Sequence, residues 1–108
     1  MSISTSATRY NIEPLKANNY SAWKEKMRMI LIKEKNWRIV SGKEIKPKWI
    51  PPTSDPERAP TVEHLRAVEE WEEKAEDAVA SICLAIDSSQ SVHVKNITDP
   101  VELWKKLE

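Results

Sequence analysis

Apolar residues recur at helical spacing along most of this chain, and the pattern predicts a succession of helices. From Tyr20 onward, basic side chains alternate with apolar residues that are three or four positions apart, the spacing of one helix face. We therefore predict an amphipathic first helix of about four turns, capped by Asn18 or Asn19. Its apolar positions are Trp23, Met27, Ile30 and Leu31.

A short second helix is predicted around Trp37, Ile39 and Val40. Asn36 precedes these residues and is a good N-terminal cap. Gly42, the only glycine in the chain, follows them where a left-handed residue commonly ends a helix. The second helix is therefore expected to end at Gly42.

Residues 43–60 contain five of the seven prolines and predict an extended Pro-rich connector. Each proline removes a backbone donor and disfavours helix at the residue before it. Trp49 and Ile50 lie in the middle of this segment. We expect them to fold back over the helices as a lid, and a docking site for a partner is the alternative.

A long helix is predicted to begin at Thr61, a suitable cap, and to run to about Ile86. Its apolar positions advance by threes and fours along one stripe, while glutamates occupy most other positions. We expect the stripe, and Cys83 beside it, to face the core. The stripe consists of Leu65, Val68, Trp71, Ala75, Ala78, Val79, Ile82 and Ile86.

The end of the chain has the clearest helix start signal. Residues 87–89 are expected to end the long helix, and the apolar segment 92–97 predicts a brief helix. Asp99 then stands in the cap position, Pro100 in the first helical position and Glu102 in the third, as in a capping box. The predicted fold is therefore all-α, a small bundle of about five helices with a Pro-rich connector.

Composition indicates one soluble domain. Apolar residues make up 40% of the 108 residues and charged residues 31%, which argues against wholesale disorder. We expect residues 1–9 to be a flexible tail and residues 10–108 to form the domain. The N-terminus lacks the pattern of a secretory signal and no apolar run is long enough to span a bilayer, so a cytoplasmic location with no membrane partner is expected. The last predicted helix stops without a terminator, so we expect the domain to be truncated at its C-terminal end.

The net charge of zero conceals two halves of opposite sign. Residues 1–48 carry a net charge of +7 and residues 49–108 a net charge of −7. The two halves can neutralise each other within one fold, or the basic half of one copy can meet the acidic half of the next. The candidate interaction surface consists of Lys24, Lys26, Arg28, Trp49, Glu69 and Glu73.

Residues that would support catalysis are sparse. A single glycine excludes a glycine-rich phosphate loop, and two histidines with one cysteine do not have the spacing of a zinc site. Paired carboxylates on the long helix require a concave, partly dry site for acid–base work, and such helix faces are usually solvated. We therefore predict no enzyme activity, no catalytic residues, no cofactor and no metal.

Several motifs resemble the Gag polyproteins of copia-type LTR retrotransposons. The run Leu15-Lys16-Ala17-Asn18-Asn19-Tyr20-Ser21-Ala22-Trp23 is similar to the family's opening, which has a leucine, usually a glycine, then Asn-Tyr and a Trp three residues on. The stretch from Asp99 to Leu107 is similar to the family's Thr-Ala-x-Glu-x-Trp-x-x-Leu. Ala17 departs from the usual glycine, and the Pro-rich insert is longer than is typical. The residues that match the family motif are Leu15, Tyr20, Trp23, Trp37, Trp71, Trp104 and Leu107.

This resemblance implies the N-terminal domain of a capsid protein that self-assembles into virus-like particles around the element's RNA. It also implies that the C-terminal capsid domain, and any zinc knuckle that grips RNA, lie beyond Glu108. The expected partner is then another copy of the chain. Two alternatives remain: a domesticated Gag-like module that binds a protein or peptide in a groove, and a nucleic-acid binder that uses the basic first helix.

Overall fold

The computed structural model describes residues 12–107, which form five α-helices and contain no β-strand. The all-α class and the approximate number of helices are thus confirmed. The predicted tail, residues 1–9, lies outside the described residues. The helices are α1 (Tyr20–Lys33), α2 (Trp37–Val40), α3 (Val62–Leu84), α4 (Ser88–Ser91) and α5 (Pro100–Lys106), and a 3₁₀ turn (Val92–Val94) follows α4.

The hydrophobic core lies where α1, the C-terminal half of α3 and α5 meet. The four apolar positions predicted for α1 are all buried, since they share one helix face. Small side chains on α3 let the neighbouring helices approach closely. The helical members of the buried core cluster are Trp23, Met27, Ile30 and Leu31 from α1, Val40 from α2, Ala78 and Ile82 from α3, and Leu103 and Trp104 from α5, and Ala85, Ile86 and Val94 join them from the segments after α3.

A segment without helical periodicity completes the core. Ile12 and Leu15 are buried, although they precede the first helix. The backbone N–H of Leu15 donates to the carbonyl of Ala85 at 2.8 Å, and the N–H of Asp87 donates to the carbonyl of Leu15 at 3.0 Å. These two bonds form an isolated parallel bridge between Leu15 and Ile86, which holds the N-terminal segment beside the end of α3.

Two of the predicted helix boundaries have the expected chemistry. The hydroxyl of Thr61 accepts a hydrogen bond from the backbone N–H of His64 at 3.1 Å, as an N-terminal cap does. Gly42 has a φ of +83°, the left-handed conformation that favours glycine after a helix. The extended connector is confirmed as well, because no helix lies between Val40 and Val62.

Three predicted caps make no side-chain capping bond. Asn19 occupies the cap position of α1, but its side chain accepts from the backbone N–H of Lys16 at 2.7 Å and donates to the carbonyl of Pro14 at 3.0 Å. It therefore stabilises the turn before the helix. Asp99 also makes no side-chain capping bond at the start of α5, so the predicted capping box with Glu102 is wrong.

The third of these predicted caps, Asn36, is buried, and its side chain bonds to a different helix. Its Nδ2 donates to the Oδ2 of Asp77 on α3 at 2.7 Å. Nearby, the hydroxyl of Ser81 on α3 donates to the Oε1 of Glu34 at 2.8 Å. Both buried polar residues thus have partners, as burial requires, and the two bonds join the α1–α2 corner to the second half of α3.

The two halves of α3 have different surroundings. Ala78 and Ile82 in the second half are fully buried, whereas Leu65 in the first half is 56% exposed. Val68 and Trp71 are only partly buried. The prediction that the whole apolar stripe faces the core is therefore wrong for the first half. The reason is length: α3 has 23 residues and spans about 34 Å, more than the 14-residue α1 can cover.

Cys83 is also placed differently from its prediction. Its neighbour Ile82 is buried in the core. Successive side chains of an α-helix point in directions about 100° apart, so Cys83 is turned away from the core and is exposed. Partial burial of the thiol raises its pKa above the ordinary value. The thiol therefore stays protonated at neutral pH and is a poor nucleophile.

We call residues 43–74, the connector with the first half of α3, the arm, and the remaining described residues the bundle. No residue of the arm is buried. The connector runs back along α3, because the indole N–H of Trp71 donates to the carbonyl of Glu44 at 3.1 Å. The molecule is elongated, with dimensions of 56 × 29 × 21 Å.

Candidate interaction surfaces

Three tryptophans from three different helices meet in the bundle. The rings of Trp23 on α1 and Trp104 on α5 are stacked, with centroids 5.8 Å apart. The rings of Trp37 on α2 and Trp104 pack edge to face, with centroids 5.4 Å apart and an interplanar angle of 80°. The indole N–H of Trp23 donates to the carbonyl of Ala85 at 2.8 Å. This cluster fixes the positions of α1, α2 and α5, and with them the outer surfaces of those helices.

Other residues of the family motif border this cluster. Leu15 is buried, while Tyr20 and Leu107 are partly buried and pack against the core. The ring of Tyr20 lies 6.4 Å from that of Trp23. The Tyr20 hydroxyl is buried and has no hydrogen-bond partner among the described residues.

Trp71 lies apart from these residues and outside the core cluster. Its ring joins the connector to α3 through the bond to Glu44, and two ion pairs flank that bond. Lys46 contacts Glu72 at 3.0 Å, and Lys74 contacts Glu44 at 3.8 Å. Because all four charged side chains are well exposed, these pairs contribute little individually. Trp71 therefore holds the base of the arm and does not belong to the bundle's core.

The three basic residues predicted for the interaction surface are not equivalent. Arg28 forms an ion pair with Glu25 at 3.2 Å, and its guanidinium lies 5.9 Å from the centre of the Trp37 ring. The ammonium of Lys24 lies 5.6 Å from the centre of the Tyr20 ring. Lys26 is exposed and makes no comparable contact within residues 12–107. Only Lys26 of the three is therefore fully available to a partner.

The exposed side of α1 carries apolar side chains that the sequence did not single out. Met29 is 54% exposed and Ile32 is 44% exposed. They border two shallow concavities of 270 and 380 Å³ with basic rims. A signal was present: four consecutive apolar residues, 29–32, cannot all lie on one face of a helix. We define the α1 patch as Lys26, Met29, Ile32, Lys33, Lys35 and Arg38, which line these concavities.

The arm presents a second, separate surface. The indole N–H of Trp49 donates to the carbonyl of Arg58 at 3.0 Å. The rings of Trp49 and His64 pack edge to face, with centroids 5.4 Å apart. Trp49 thus folds back onto the start of α3. Ile50 is 79% exposed, so the predicted lid is wrong for this residue. The exposed large apolar residues of the arm are Ile45, Ile50, Val62 and Leu65.

Acidic side chains accompany this apolar surface. Glu69 and Glu73 are exposed on α3, and neither forms an ion pair with another described residue. Arg58 of the connector pairs with Asp55 at 3.3 Å and so does not neutralise them. The residues predicted as one interaction surface therefore lie on two: a basic patch on the bundle and an acidic, apolar arm.

Among residues 12–107, no three His, Cys, Asp or Glu side chains are grouped as a metal site requires. None of the helices in this part of the chain is long and apolar enough to cross a bilayer. The carboxyl of Asp87 has a lowered pKa, mainly because it accepts a hydrogen bond from the Ser89 hydroxyl. A second hydrogen bond, from the backbone N–H of Ser89, lowers the pKa further. These bonds cap α4.

The sequence is similar to a known protein family. A family model described as gag-polypeptide of LTR copia-type matches residues 27–108. The matched stretch includes Trp37, Trp71 and Trp104, whereas the Leu15–Trp23 motif precedes it. Neither a search of curated proteins nor a search of solved structures gave a match.

Proposed function

Because this chain belongs to the gag-polypeptide family of copia-type LTR retrotransposons, we propose that it is a capsid domain whose copies assemble into virus-like particles around the element's RNA. Membership of the family supports a Gag-like structural role, and such proteins are generally not enzymes. The match over residues 27–108 is the observation that carries the proposal.

The physical properties of the domain are consistent with assembly. A building block must keep its shape, and three stacked or edge-packed tryptophans hold the helices of the bundle in place. It must also expose surfaces that attract other copies. The exposed apolar residues of the α1 patch and of the arm meet that requirement. Contacts of less than about 1,000 Å² suffice when each copy makes several of them.

The charge distribution supports protein–protein contacts more than RNA binding by this chain. The net charge is zero, whereas a domain that holds RNA by itself is usually basic overall. We propose that RNA is bound mainly by regions outside this chain and that assembly takes place in the cytoplasm. The α1 patch then attracts protein carboxylates.

The principal alternative is a domesticated Gag-like module that binds another protein or a peptide. The observation in its favour is that Ile45 and Ile50 project from a Pro-rich connector without being buried. Exposed apolar side chains of this kind commonly mark sites of interaction. Capture of a foreign partner, however, leaves the opposite charges of the α1 patch and of the glutamates on the first half of α3 without a role.

Light scattering on the 108-residue chain tests the proposal, with RNA absent and concentrations from about 1 µM to about 1 mM, the range of Kd expected for weak contacts. We expect the mean mass to rise with concentration and to fall as salt screens the charges. Electron microscopy of the concentrated samples then shows whether the associated species are closed particles. A monomer at every concentration contradicts assembly by this chain and favours the alternative.

A further inference from the structure

Two exposed surfaces of the molecule, the α1 patch and the arm, have complementary properties. We propose that the arm of one copy docks on the α1 patch of the next, so that assembly uses a contact between two different surfaces. The inference rests on the proposed function, because it names the surfaces through which copies associate. It extends that function by predicting head-to-tail association.

The shapes of the two surfaces are complementary. The α1 patch is concave, with Met29 and Ile32 beside two depressions. The arm is a narrow projection with exposed side chains at Ile50, Val62 and Leu65. Apolar side chains that enter such depressions lose contact with water, which is the main favourable contribution to association.

The charges of the two surfaces are also complementary. The basic rim of the α1 patch takes part in none of the ion pairs among the described residues. The same holds for four of the five acidic side chains of α3 in the arm, since Glu72 pairs with Lys46. The rim consists of Lys26, Lys33, Lys35 and Arg38, and the acidic residues are Glu63, Glu69, Glu70 and Glu73. Opposite charges across an interface accelerate encounter and select the orientation.

The same charges disfavour contacts between two identical surfaces. Two α1 patches would bring their basic rims together. Two arms would bring together the first half of α3 from each copy, where residues 62–73 contain five glutamates and a single arginine, Arg66. Like charges placed opposite each other at an interface cost free energy and thereby exclude the wrong pairing. Arm-to-patch contact is therefore favoured over patch-to-patch and arm-to-arm contact.

The tip of the arm cannot easily reach the α1 patch of its own molecule. Lys74 borders the 380 Å³ depression of the α1 patch, so the patch meets α3 near its middle. The beginning of α3 at Val62 is 12 residues, or about 18 Å, further along the helix axis. The tip of the arm therefore extends past its own bundle, where only a second molecule can cover it. Head-to-tail contacts of this kind build rings or open helical filaments.

Two pairs of substitutions that replace apolar by uncharged polar side chains test the contact. The arm variant carries Ile50→Gln and Leu65→Gln, and the patch variant carries Met29→Gln and Ile32→Gln. All four side chains are exposed, so both variants are expected to fold, which circular dichroism checks. Val92→Gln is the matched control, because Val92 is 66% exposed but lies on the 3₁₀ turn outside both surfaces.

Sedimentation analysis of each variant, without RNA, gives the first readout. We expect each variant alone to associate at least about tenfold more weakly than the unmodified chain, since central apolar contacts dominate binding. The Val92→Gln control should associate as the unmodified chain does. Loss of association in only one of the two variants means that one surface pairs with itself, which overturns the proposal.

A mixing experiment gives the decisive readout. An equimolar mixture of the two variants retains one intact arm and one intact patch, so we expect 1:1 complexes with the affinity of the unmodified contact and no larger species. A mixture that associates no better than its components overturns the proposal. So does association that occurs only with added RNA, since the basic patch would then bind nucleic acid.

The outcomes separate this inference from the function on which it rests. If the unmodified chain associates and both variants associate equally well, the arm-to-patch contact is wrong while assembly stands. If the unmodified chain remains a monomer at about 1 mM, both are wrong.

Discussion

The bundle and the arm use the same residue type for different purposes. In the bundle, Trp23 is 2% exposed and stacks on Trp104, which also packs against Trp37, so the cluster joins three helices. In the arm, Trp49 and Trp71 are partly exposed, and each donates its indole N–H to a backbone carbonyl of the connector. Tryptophan thus fills the core in one region and ties extended chain to a helix in the other.

The difference shows where the stability of this domain resides. Apolar burial is the dominant favourable contribution to folding, and it is concentrated in the bundle. The arm, which has no buried residue, depends on individual hydrogen bonds and on exposed ion pairs. We therefore expect the arm to open at a lower free energy than the bundle. A region of low local stability is well suited to adapt to a partner.

The largest effect is expected from Trp23→Ala, which breaks the bundle. Loss of a buried indole leaves a cavity beside Trp104 and removes the bond to Ala85, so we expect a loss of about 3–5 kcal/mol in the free energy of unfolding. Urea denaturation followed by circular dichroism measures it. A loss of less than about 1 kcal/mol would show that Trp23 does not hold the core together.

Asn36→Ala tests the joint between α2 and α3. The substitution removes a hydrogen bond from a buried amide to the Asp77 carboxylate, and we expect a cost of about 1–3 kcal/mol. A double-mutant cycle with Asp77→Ala isolates the interaction between the two side chains. Additive effects of the two substitutions would mean that the bond contributes nothing to stability.

Trp71→Ala is expected to have a smaller effect, because the ring is partly exposed. We predict a cost of about 1–2 kcal/mol, and about half of it for Trp71→Phe, which keeps a ring but removes the N–H bond to Glu44. Hydrogen exchange should then accelerate in the connector and remain unchanged in α1. A cost equal to that of Trp23→Ala would contradict the division into bundle and arm.

Thr61→Ala removes the cap of α3 at the tip of the arm. The expected cost is about 1 kcal/mol. We expect faster hydrogen exchange in the first turn of α3, with the amides near Ile82 unaffected, because the opening is local. Thr61→Ser keeps the hydroxyl and serves as the control. Global unfolding of the Ala variant would show that arm and bundle open together.

The smallest effect concerns Asp87, the cap of α4 in the bundle. Its folded-state pKa is lowered, so the charged cap stabilises the fold above the unfolded-state pKa of about 3.9, and this contribution is lost as the pH falls through the folded-state pKa. Asp87→Asn should therefore be less stable than the unmodified chain at pH 7 and equally stable in strong acid. Denaturation at a series of pH values checks this, and a difference that grows in acid would contradict it.

Much of the fold was predictable because the strongest signals are local. Helical spacing indicated α1, the glycine indicated the end of α2, and the prolines indicated the connector. Caps were less predictable, since Asn19 and Asn36 are equally suited to bonds with more distant groups. The place of Leu15 in the bridge with Ile86 had no local signal, because its partner is 71 positions away along the chain.

The candidate site was predictable only in part, for the same reason. The opposite charges of the two halves were evident, and so were Lys26, Glu69 and Glu73 as exposed charged residues. The contact of Lys24 with Tyr20 is local, because the two residues are four positions apart on α1. The contact of Arg28 with Trp37 on α2 depends on tertiary packing. So does the exposure of Leu65, whose spacing on α3 is the same as that of buried residues.

The sequence by itself determined which segments are helical, where the connector lies and how charge divides along the chain, because these properties depend on neighbouring residues. Only the tertiary structure decided which part of the apolar stripe on α3 is buried. That outcome depends on how far α1 and α5 extend beside α3, and so on packing between distant segments. The division into a buried bundle and an exposed arm, on which the proposed contact between copies depends, follows from that difference in length.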